Sequence, residues 1–365
     1  MSIRVLHVID SLDVGGAQVA LLNLLQQTNR ARFDPEVATM HGHGVFWDAF
    51  ATLAIPVHSL SPRKWFPIYI WRLARLIQRR RPRIIHCRLF GSNWIAKPLA
   101  ALLGVPVRIN HDECNDAWRH ESRLALAIDT FTNRWSSHVC AVSASTRDFL
   151  LRHERLAPER VSLVYNGIDL DRFAPPRDRL GADPFVVLGV GRLHPQKNFS
   201  LFLDVAADLL RRGHAIRFRI AGTGPEDDAL RRQATRLGIA TQVEFLGHVS
   251  DTTRLYAEAD ALLMTSRYEG APLTALEAMA MRLPIVAPRL DGLAEMLTDG
   301  VDALLAAPHG QEEFVTQLEK LITNRPLRLR LAESAERKVH AHYSARAMAA
   351  HIEAIYDQCL GETTV

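Results

Sequence analysis

The sequence predicts an α/β protein built on two doubly wound parallel sheets, and three observations lead there. Short β-branched or apolar runs recur at residues 3–9, 36–40, 84–87, 105–110, 138–142 and 161–165, with helix-length stretches between them. This is the alternation that parallel βαβ units require. The same alternation restarts at 185–190 and continues through 216–221, 243–246, 261–264, 284–287 and 303–307. Between the two series, residues 171–184 read DRFAPPRDRLGADP, whose prolines and charges mark a linker. A chain of 365 residues also exceeds one ordinary core. The expected division is a first domain over residues 1–175, a second over 176–343, and a C-terminal helix over 344–365 that packs back on the first. No internal repeat or low-complexity segment is visible in the sequence.

Composition narrows the class. Hydrophobic residues make up 48% of the chain, as in a water-soluble enzyme, and no apolar run reaches membrane-spanning length. The chain enters directly into IRVLHVI without a signal-peptide pattern, so a cytoplasmic location is expected. Cys87, Cys114, Cys140 and Cys359 are scattered without paired spacing, which argues against a zinc site and against a disulfide framework. Charge is uneven: Lys and Arg outnumber Asp and Glu by 22 to 15 in residues 1–175, and are outnumbered 22 to 25 in the remainder. A first half at +7 suits an anionic partner of some kind.

In parallel sheets of this type ligands lie beyond the carboxyl ends of the strands, so candidate groups belong in the loops that follow strands. After the first strand, Gly15 and Gly16 open a helix and let backbone approach a ligand, although the dinucleotide pattern G-x-G-x-x-G is absent. The HGHG run at 41–44 reads as a loop. The stretch from Pro62 to Arg83, PRKWFPIYIWRLARLIQRRRPR, joins aromatics, an apolar stripe and eight Arg or Lys. It reads equally as a helix on an anionic membrane surface and as an ordinary helix packed on the sheet. His111 and Asp112 stand together at a strand end. After 185–190, Arg192 and Lys197 lie five apart ahead of a helix, a cation pair suited to a diphosphate. Gly222 and Gly224 in GTGP form a further close-approach turn. The stretch ALLMTSRYEGAPLTALEAMA at 261–280 passes from strand to polar turn to helix. Pro272 suits the first helical position of a helix over 272–281, whose free N–H groups and dipole would face a phosphate. Thr274 adds a hydroxyl, Glu277 suits a ribose diol, and Glu269 lies where a sugar would be held. Alternatively both glutamates are surface charges near a helix start.

Taken together, GGA at 15–17, HD at 111–112, VYNGID at 164–169, GRLxxxKN at 191–198, GTGP at 222–225, FLGHV at 245–249 and EGAPLTALEAMA at 269–280 resemble glycosyltransferase family 4. The resemblance covers nearly the whole chain. It implies the GT-B fold, two Rossmann-like domains facing a central cleft, and a retaining transfer of sugar from a nucleotide sugar. UDP is the favoured base and GDP the second. The acceptor would be a hydroxyl of a glycan or lipid-linked sugar in cell-envelope or exopolysaccharide synthesis.

By that resemblance the second domain holds the donor and the first the acceptor. Arg192 and Lys197 would bind the diphosphate, Glu277 the ribose and Glu269 the sugar hydroxyls. Backbone of Gly270, Ala271, Pro272, Leu273 and Thr274 would orient sugar and phosphate. Gly15, Gly16 and Gly222 would line the donor, Gly247 and Val249 would border the base, and His111 would lie near the reacting carbon or the sugar 6-hydroxyl. No cofactor or metal is required; Asp169-Leu170-Asp171 spells D-x-D but reads as a turn. The chain departs from the family pattern at Arg282, where a glycine is usual, and at Leu290-Asp291-Gly292. Two other readings are an epimerase of similar architecture that acts on a UDP-sugar without acceptor, and a non-catalytic nucleotide-sugar-binding component of an assembly complex. The expected location is cytoplasmic, with peripheral attachment to the inner face of the membrane through 62–83.

Overall fold

The structure, a computed structural model, describes residues 2–40, 42–61, 66–113, 122–175 and 184–361. His41, Cys114, residues 62–65 and most of the 171–184 linker lie outside the described residues. The chain divides into two compact units, residues Met1–Gly167 with Ala345–Val365, and Ile168–Ser344. The division falls at Gly167/Ile168, ahead of the expected 175/176, because Ile168 bridges to Ser344 and donates its N–H to the Tyr343 carbonyl within the second unit.

Unit 1 carries strands β1 (Ile3–Ile9), β2 (Phe33–Thr39), β3 (Val57–Ser59), β4 (Ile84–Arg88), β5 (Val107–Asp112), β6 (His138–Ala141) and β7 (Val161–Leu163). They lie in the order β3-β2-β1-β4-β5-β6-β7, all parallel. Its helices are α1 (Gly16–Gln27), α2 (Trp47–Thr52), α3 (Phe66–Arg80), α4 (Phe90–Leu102), α5 (Arg123–Asn133), α6 (Ala144–Arg152) and the C-terminal α14 (Ala345–Leu360). The short edge strand β3 has no counterpart in the predicted runs: three half-buried residues are too few to show a period. One apolar cluster joins β1, β2 and α1 to Met348, Ala349, Ile352, Ile355 and Tyr356 of α14, so the C-terminal helix completes this unit's core.

The opposite face of the sheet is covered by α3 and α4. Tyr69, Leu73 and Ile77, spaced at i, i+4 and i+8, are buried against Leu6, Val8 and Cys87. The apolar stripe of the 62–83 stretch is thus spent on the sheet. Trp71 stands exposed under the Arg75 guanidinium, 5.2 Å from its ring centre, and Arg80 is ion-paired to Glu36 at 2.6 Å. No helix among the described residues is long and apolar enough to cross a membrane.

Unit 2 carries β8 (Phe185–Val190), β9 (Ile216–Ala221), β10 (Val243–Gly247), β11 (Ala261–Leu263), β12 (Ile285–Pro288) and β13 (Leu304–Ala306) in the order β10-β9-β8-β11-β12-β13. Its helices are α7 (Phe199–Arg211), α8 (Asp227–Arg236), α9 (Thr253–Glu258), α10 (Leu273–Ala280), α11 (Asp291–Met296), α12 (Gln311–Thr323) and α13 (Arg325–His342). Counted from its own first strand, this order repeats the 3-2-1-4-5-6 order of unit 1. The repetition is one of topology alone and left no trace as a sequence repeat. In each unit the chain reverses its direction of winding between the first and fourth strands, where a ligand crevice is expected.

Candidate functional site

In unit 2 the reversal lies between β8 and β11, and the loops after these strands carry the predicted cations and Glu269. The loop after β8 is shaped by glycines. Gly191 has φ of +156°, and a Cβ at Gly222 would overlap the Gly191 carbonyl, so only glycine lets the loops after β8 and β9 pack back to back. Gly224 meets the Leu193 backbone in the same way. Gly222 and Gly224 are therefore required by loop-to-loop packing, whereas the sequence suggested close approach to a ligand. Gly222 donates its N–H to the Gly247 carbonyl at 2.8 Å, which ties in the end of β10 and places half-buried Val249 just beyond it.

The loops after β8 and β11 are bonded to each other. The Thr265 hydroxyl donates to the Lys197 and Asn198 carbonyls at 3.1 and 3.0 Å. The Arg267 N–H donates to the Gln196 carbonyl at 2.8 Å, and Gln196 Nε2 donates to the Tyr268 carbonyl at 3.2 Å. This frame sets Lys197 Nζ 2.5 Å from Glu269 Oε1, which also accepts from the Ser266 hydroxyl at 2.6 Å. The two side chains are 16% and 6% exposed, so the pair is shielded from screening yet reachable. Arg192 is exposed beside it, touching Gln196 Oε1 at 3.3 Å.

The Glu269 loop runs straight into α10. Gly270, Ala271, Pro272 and Leu273 are buried. The helix spans Leu273–Ala280 with Pro272 as its N-cap, one residue later than predicted, because Pro272 has an extended ψ of 124°. The N-cap residue itself, Pro272, makes no side-chain capping bond. The Ala275 N–H donates to the Pro272 carbonyl at 3.1 Å, whereas the Thr274 hydroxyl is buried without a partner among the described residues. Sequence reasoning treated Leu290-Asp291-Gly292 as a departure, but its glycine has a fixed purpose: a Cβ at Gly292 would overlap the Glu269 and Gly270 carbonyls. That turn closes directly on the loop holding Glu269.

One helical turn further, burial pushes the Glu277 carboxyl up to about 7, against the lowering effect of the Tyr256 hydroxyl and the Arg172 charge. Tyr256 is fully buried and donates to Glu277 Oε2 at 2.6 Å. Neither Tyr256 nor Ser266 was identifiable from the sequence, since nothing local marks a tyrosine on α9 or a serine after β11 as carboxylate partners.

At the end of α10 Arg282 adopts φ of +53°, the left-handed conformation expected of a glycine, and pairs with Glu333 and Glu336 of α13 at 3.2 and 3.1 Å. Asp169 Oδ1 accepts from the backbone N–H groups of Asp171 and Arg172 at 3.1 and 3.3 Å, so the D-x-D run forms a turn. Among the described residues no group of three His, Cys, Asp or Glu is placed to hold a metal ion. His43 of the HGHG loop lies edge-on to Trp47, 4.2 Å between ring centres.

Unit 1 differs. Gly15 has an extended φ of −176° that any residue adopts, although a Cβ there would press on the amide oxygen of buried Gln18, whereas a Cβ at Gly16 would meet nothing within 4 Å. Asp10, just after β1, accepts from the Gly91 and Ser92 N–H groups at 3.1 and 2.7 Å and fills the N-terminus of α4. His111 lies inside β5, which runs two residues past the predicted end, and is fully buried. His7, His86 and His111 stack across β1, β4 and β5 with centres 5.2 and 5.3 Å apart. Burial, together with the nearby Arg88 charge, pushes all three imidazoles below their ordinary range, His7 to about 3. Arg88 is fully buried and ion-paired to Glu113.

The profile described as "Glycosyl transferases group 1" matches residues 173–338, and that described as "Glycosyltransferase Family 4" matches 14–172. The D-inositol 3-phosphate glycosyltransferase of Frankia alni is 35% identical over 278 residues, covering 69% of this chain and 68% of its own. The alpha-D-kanosaminyltransferase of Streptomyces kanamyceticus is 27% identical over 79% of this chain and 81% of its own. Among solved structures, Anabaena HepE in complex with UDP-glucose superposes with a TM-score of 0.86 at 22% identity, covering 97% of this chain and 99% of that one. This likeness shows a shared fold, the GT-B architecture. The chain belongs to glycosyltransferase family 4 and is a glycosyltransferase.

Proposed function

We propose that this chain is a retaining, metal-independent glycosyltransferase that transfers a sugar from a UDP-sugar, with GDP-sugar as the second choice, to a hydroxyl of a glycan or lipid-linked acceptor. The observation that carries this reading is the arrangement around Lys197. A shielded cation, the exposed Arg192 and a helix N-terminus whose cap residue makes no side-chain bond follow adjacent strands at the reversal point of one sheet. A diphosphate needs such a set, and Glu269 and Glu277 supply acceptors for sugar and ribose hydroxyls. HepE, which shares the fold, was solved with UDP and with UDP-glucose.

In this reading the glycosidic bond breaks with charge growing on the diphosphate. Lys197, Arg192 and the α10 dipole meet that charge where it develops, in a site already organised by the bonded loops. Ser266 and Lys197 hold Glu269 in one orientation, which fixes the sugar. A phosphate oxygen then takes the acceptor proton, with attack from the face the nucleotide leaves. Glu269 and Glu277 do not act as a glycosidase pair, because Glu277 is committed to Tyr256 and the ribose.

A calorimetric panel of nucleotide sugars, with and without EDTA, tests the reading. Tight binding of one UDP- or GDP-sugar, followed by metal-free turnover with acceptor, is the expected result. Binding to none, or activity abolished by EDTA and rescued by manganese or magnesium, would overturn donor or metal independence respectively. Peripheral membrane attachment rests on the basic outer face of α3 and Trp71; absence of salt-sensitive co-sedimentation with anionic vesicles removes it.

A further inference from the structure

Glu277 does not stand by itself on α10. Tyr256 of α9 is fully buried, and its hydroxyl donates to Glu277 Oε2 at 2.6 Å. Phe173, itself buried, meets the Tyr256 ring edge-on with centres 6.2 Å apart, and the Tyr256 N–H donates to the Thr252 carbonyl at 3.1 Å. A phenol packed in this way cannot turn its O–H toward water, so the bond to Glu277 is a fixed feature of the interior. Phe173, Tyr256 and Glu277 all belong to unit 2, as do Lys197 and Glu269. No contact between the two units enters the argument.

The direction of the bond follows from the two groups. Burial, together with the Glu277 charge, holds the Tyr256 phenol well above its ordinary range, so it keeps its proton. An ionised carboxylate has no proton to give and only accepts. Tyr256 therefore donates whenever Glu277 is charged, and a hydrogen bond donated to the charged form favours that form. Burial lifts the carboxyl to about 7, and the groups that act against burial are Tyr256 and then the Arg172 guanidinium. Glu277 is thus poised between two states at neutral pH, while as a residue it keeps partial exposure one turn inside α10. The two states differ in what they can hold: a carboxylate accepts from both hydroxyls of a vicinal diol, whereas a protonated carboxyl carries a donor of its own and accepts less.

We propose that Tyr256 is a positioning residue for the ribose of the donor: by donating to Oε2 it fixes the carboxyl in one orientation and keeps Glu277 a double acceptor, and so sets the preference of the site for nucleotides that carry the 2′,3′-diol. The ribose half of this inference rests on the reading of Glu277 given under the proposed function. The hold of Tyr256 on Glu277 stands on contacts within unit 2.

Calorimetry with UDP and with 2′,3′-dideoxy-UDP on the full chain reads the ribose half as a ratio of affinities. The terminal phosphate titrates alike in the two ligands, so it cancels from that ratio. In the wild type the preference for UDP is expected to rise about ten-fold between pH 6 and pH 8.5, as Glu277 ionises through 7. Tyr256→Phe keeps the ring and its packing and removes the donor. Its preference for UDP should be about five-fold smaller at pH 7 and return toward the wild-type value at pH 9, because the profile moves up by about one pH unit. With Glu277→Gln the ratio is flat across pH, and adding Tyr256→Phe changes that flatness no further.

The ligand-free melting temperature reads the other half without any nucleotide. Glu277 has its folded value raised above 4.5, so its stabilisation is lost as pH rises through 7, and in Tyr256→Phe that loss should fall at higher pH by about the same one unit. A melting profile in Tyr256→Phe that superimposes on the wild type overturns the hold on Glu277. A wild-type preference for UDP that is flat with pH, or one that Tyr256→Phe leaves unchanged or lowers equally at every pH, overturns the ribose role. Failure of the wild type to bind either ligand overturns the donor reading together with the ribose half, and the melting profiles then decide the hold on Glu277 by themselves.

Discussion

In unit 1 the helix after β4 begins against a carboxylate of its own chain; in unit 2 the helix after β11 begins at a proline that makes no side-chain capping bond. The two helices occupy the same position in the shared strand order, across the reversal point from the first strand. Asp10 fills the first with bonds of 3.1 and 2.7 Å to Gly91 and Ser92 N–H groups. At the second, Pro272 has no N–H and no polar side chain, and a buried Thr274 hydroxyl has no partner among the described residues. One scaffold thus carries two helix N-termini, one met by a carboxylate of its own unit and one that the proposed function assigns to a diphosphate. The difference teaches why the cations Arg192 and Lys197 sit in unit 2 and the buried neutral imidazoles in unit 1.

The strongest way to break this comparison is Lys197→Ala. If the open helix end and Lys197 jointly meet the leaving diphosphate, turnover falls about 10²–10³-fold, the effect of removing one preorganised charge donor. Near-normal turnover under saturating donor would remove the reason for treating unit 2 as the anion site.

Asp10→Ala sharpens it from the other side. Opening the α4 end is expected to lower stability by about 1–2 kcal/mol, as loss of a helix cap does. Calorimetric affinity for UDP should not change, because the proposed donor site lies in unit 2; a matching loss of affinity would mean that the two helix ends are not independent.

A third test uses pH. The Glu277 carboxyl holds its proton up to about 7 in the folded chain, above the ordinary value of 4.5. Between those values the folded state keeps a proton that the unfolded chain has released, so this stabilisation is complete below pH 4.5 and is lost as pH rises through 7. The ligand-free melting temperature is expected to fall between pH 5 and pH 8 by at least about 2 °C, the shift that 1 kcal/mol produces in units of this size. Glu277→Gln should flatten that slope. Nucleotide affinity runs the opposite way, since the ionised carboxylate accepts ribose hydroxyls better. A melting profile unchanged by Glu277→Gln would contradict the burial effect.

The smallest effect is expected at Arg282→Gly. Relief of the left-handed backbone returns about 1 kcal/mol, and the half-exposed pairs with Glu333 and Glu336 are worth about 0–1 kcal/mol each. Chemical denaturation should show a net change within about 1 kcal/mol. A larger loss would show that the α10 end is held by its ion pairs.

The alternation of apolar runs and helix-length segments was enough to read twelve of the thirteen strands among the described residues, and β3 escaped because three half-buried residues carry no period. The loops after β8 and β11 were readable because their residue types are unusual for loops: Arg192, Lys197 and Glu269 bear charge where a chain would otherwise place turn residues, and Glu277 follows one turn into α10. What those residues touch was not readable. Tyr256 is 21 positions from Glu277, and Lys197 is 72 from Glu269. The apolar stripe of α3 looked the same whether it faced lipid or a sheet until Tyr69, Leu73 and Ile77 were found against β1 and β4.

Local chemistry and period, then, were determined by the sequence by itself: two parallel sheets, the loops that carry cations and carboxylates, and a helix begun by a proline. Only the tertiary structure decided that Gly222 serves a neighbouring loop, that Asp10 closes one helix end while the N-cap proline of its counterpart in unit 2 makes no side-chain bond, and that Tyr356 reaches His86 across 270 residues of chain. The physical reason is the range of the forces. Backbone propensity and amphipathic period act over a few residues and are written along the chain, whereas burial and hydrogen-bond partnership depend on which strands become neighbours, and that is settled when the sheet forms.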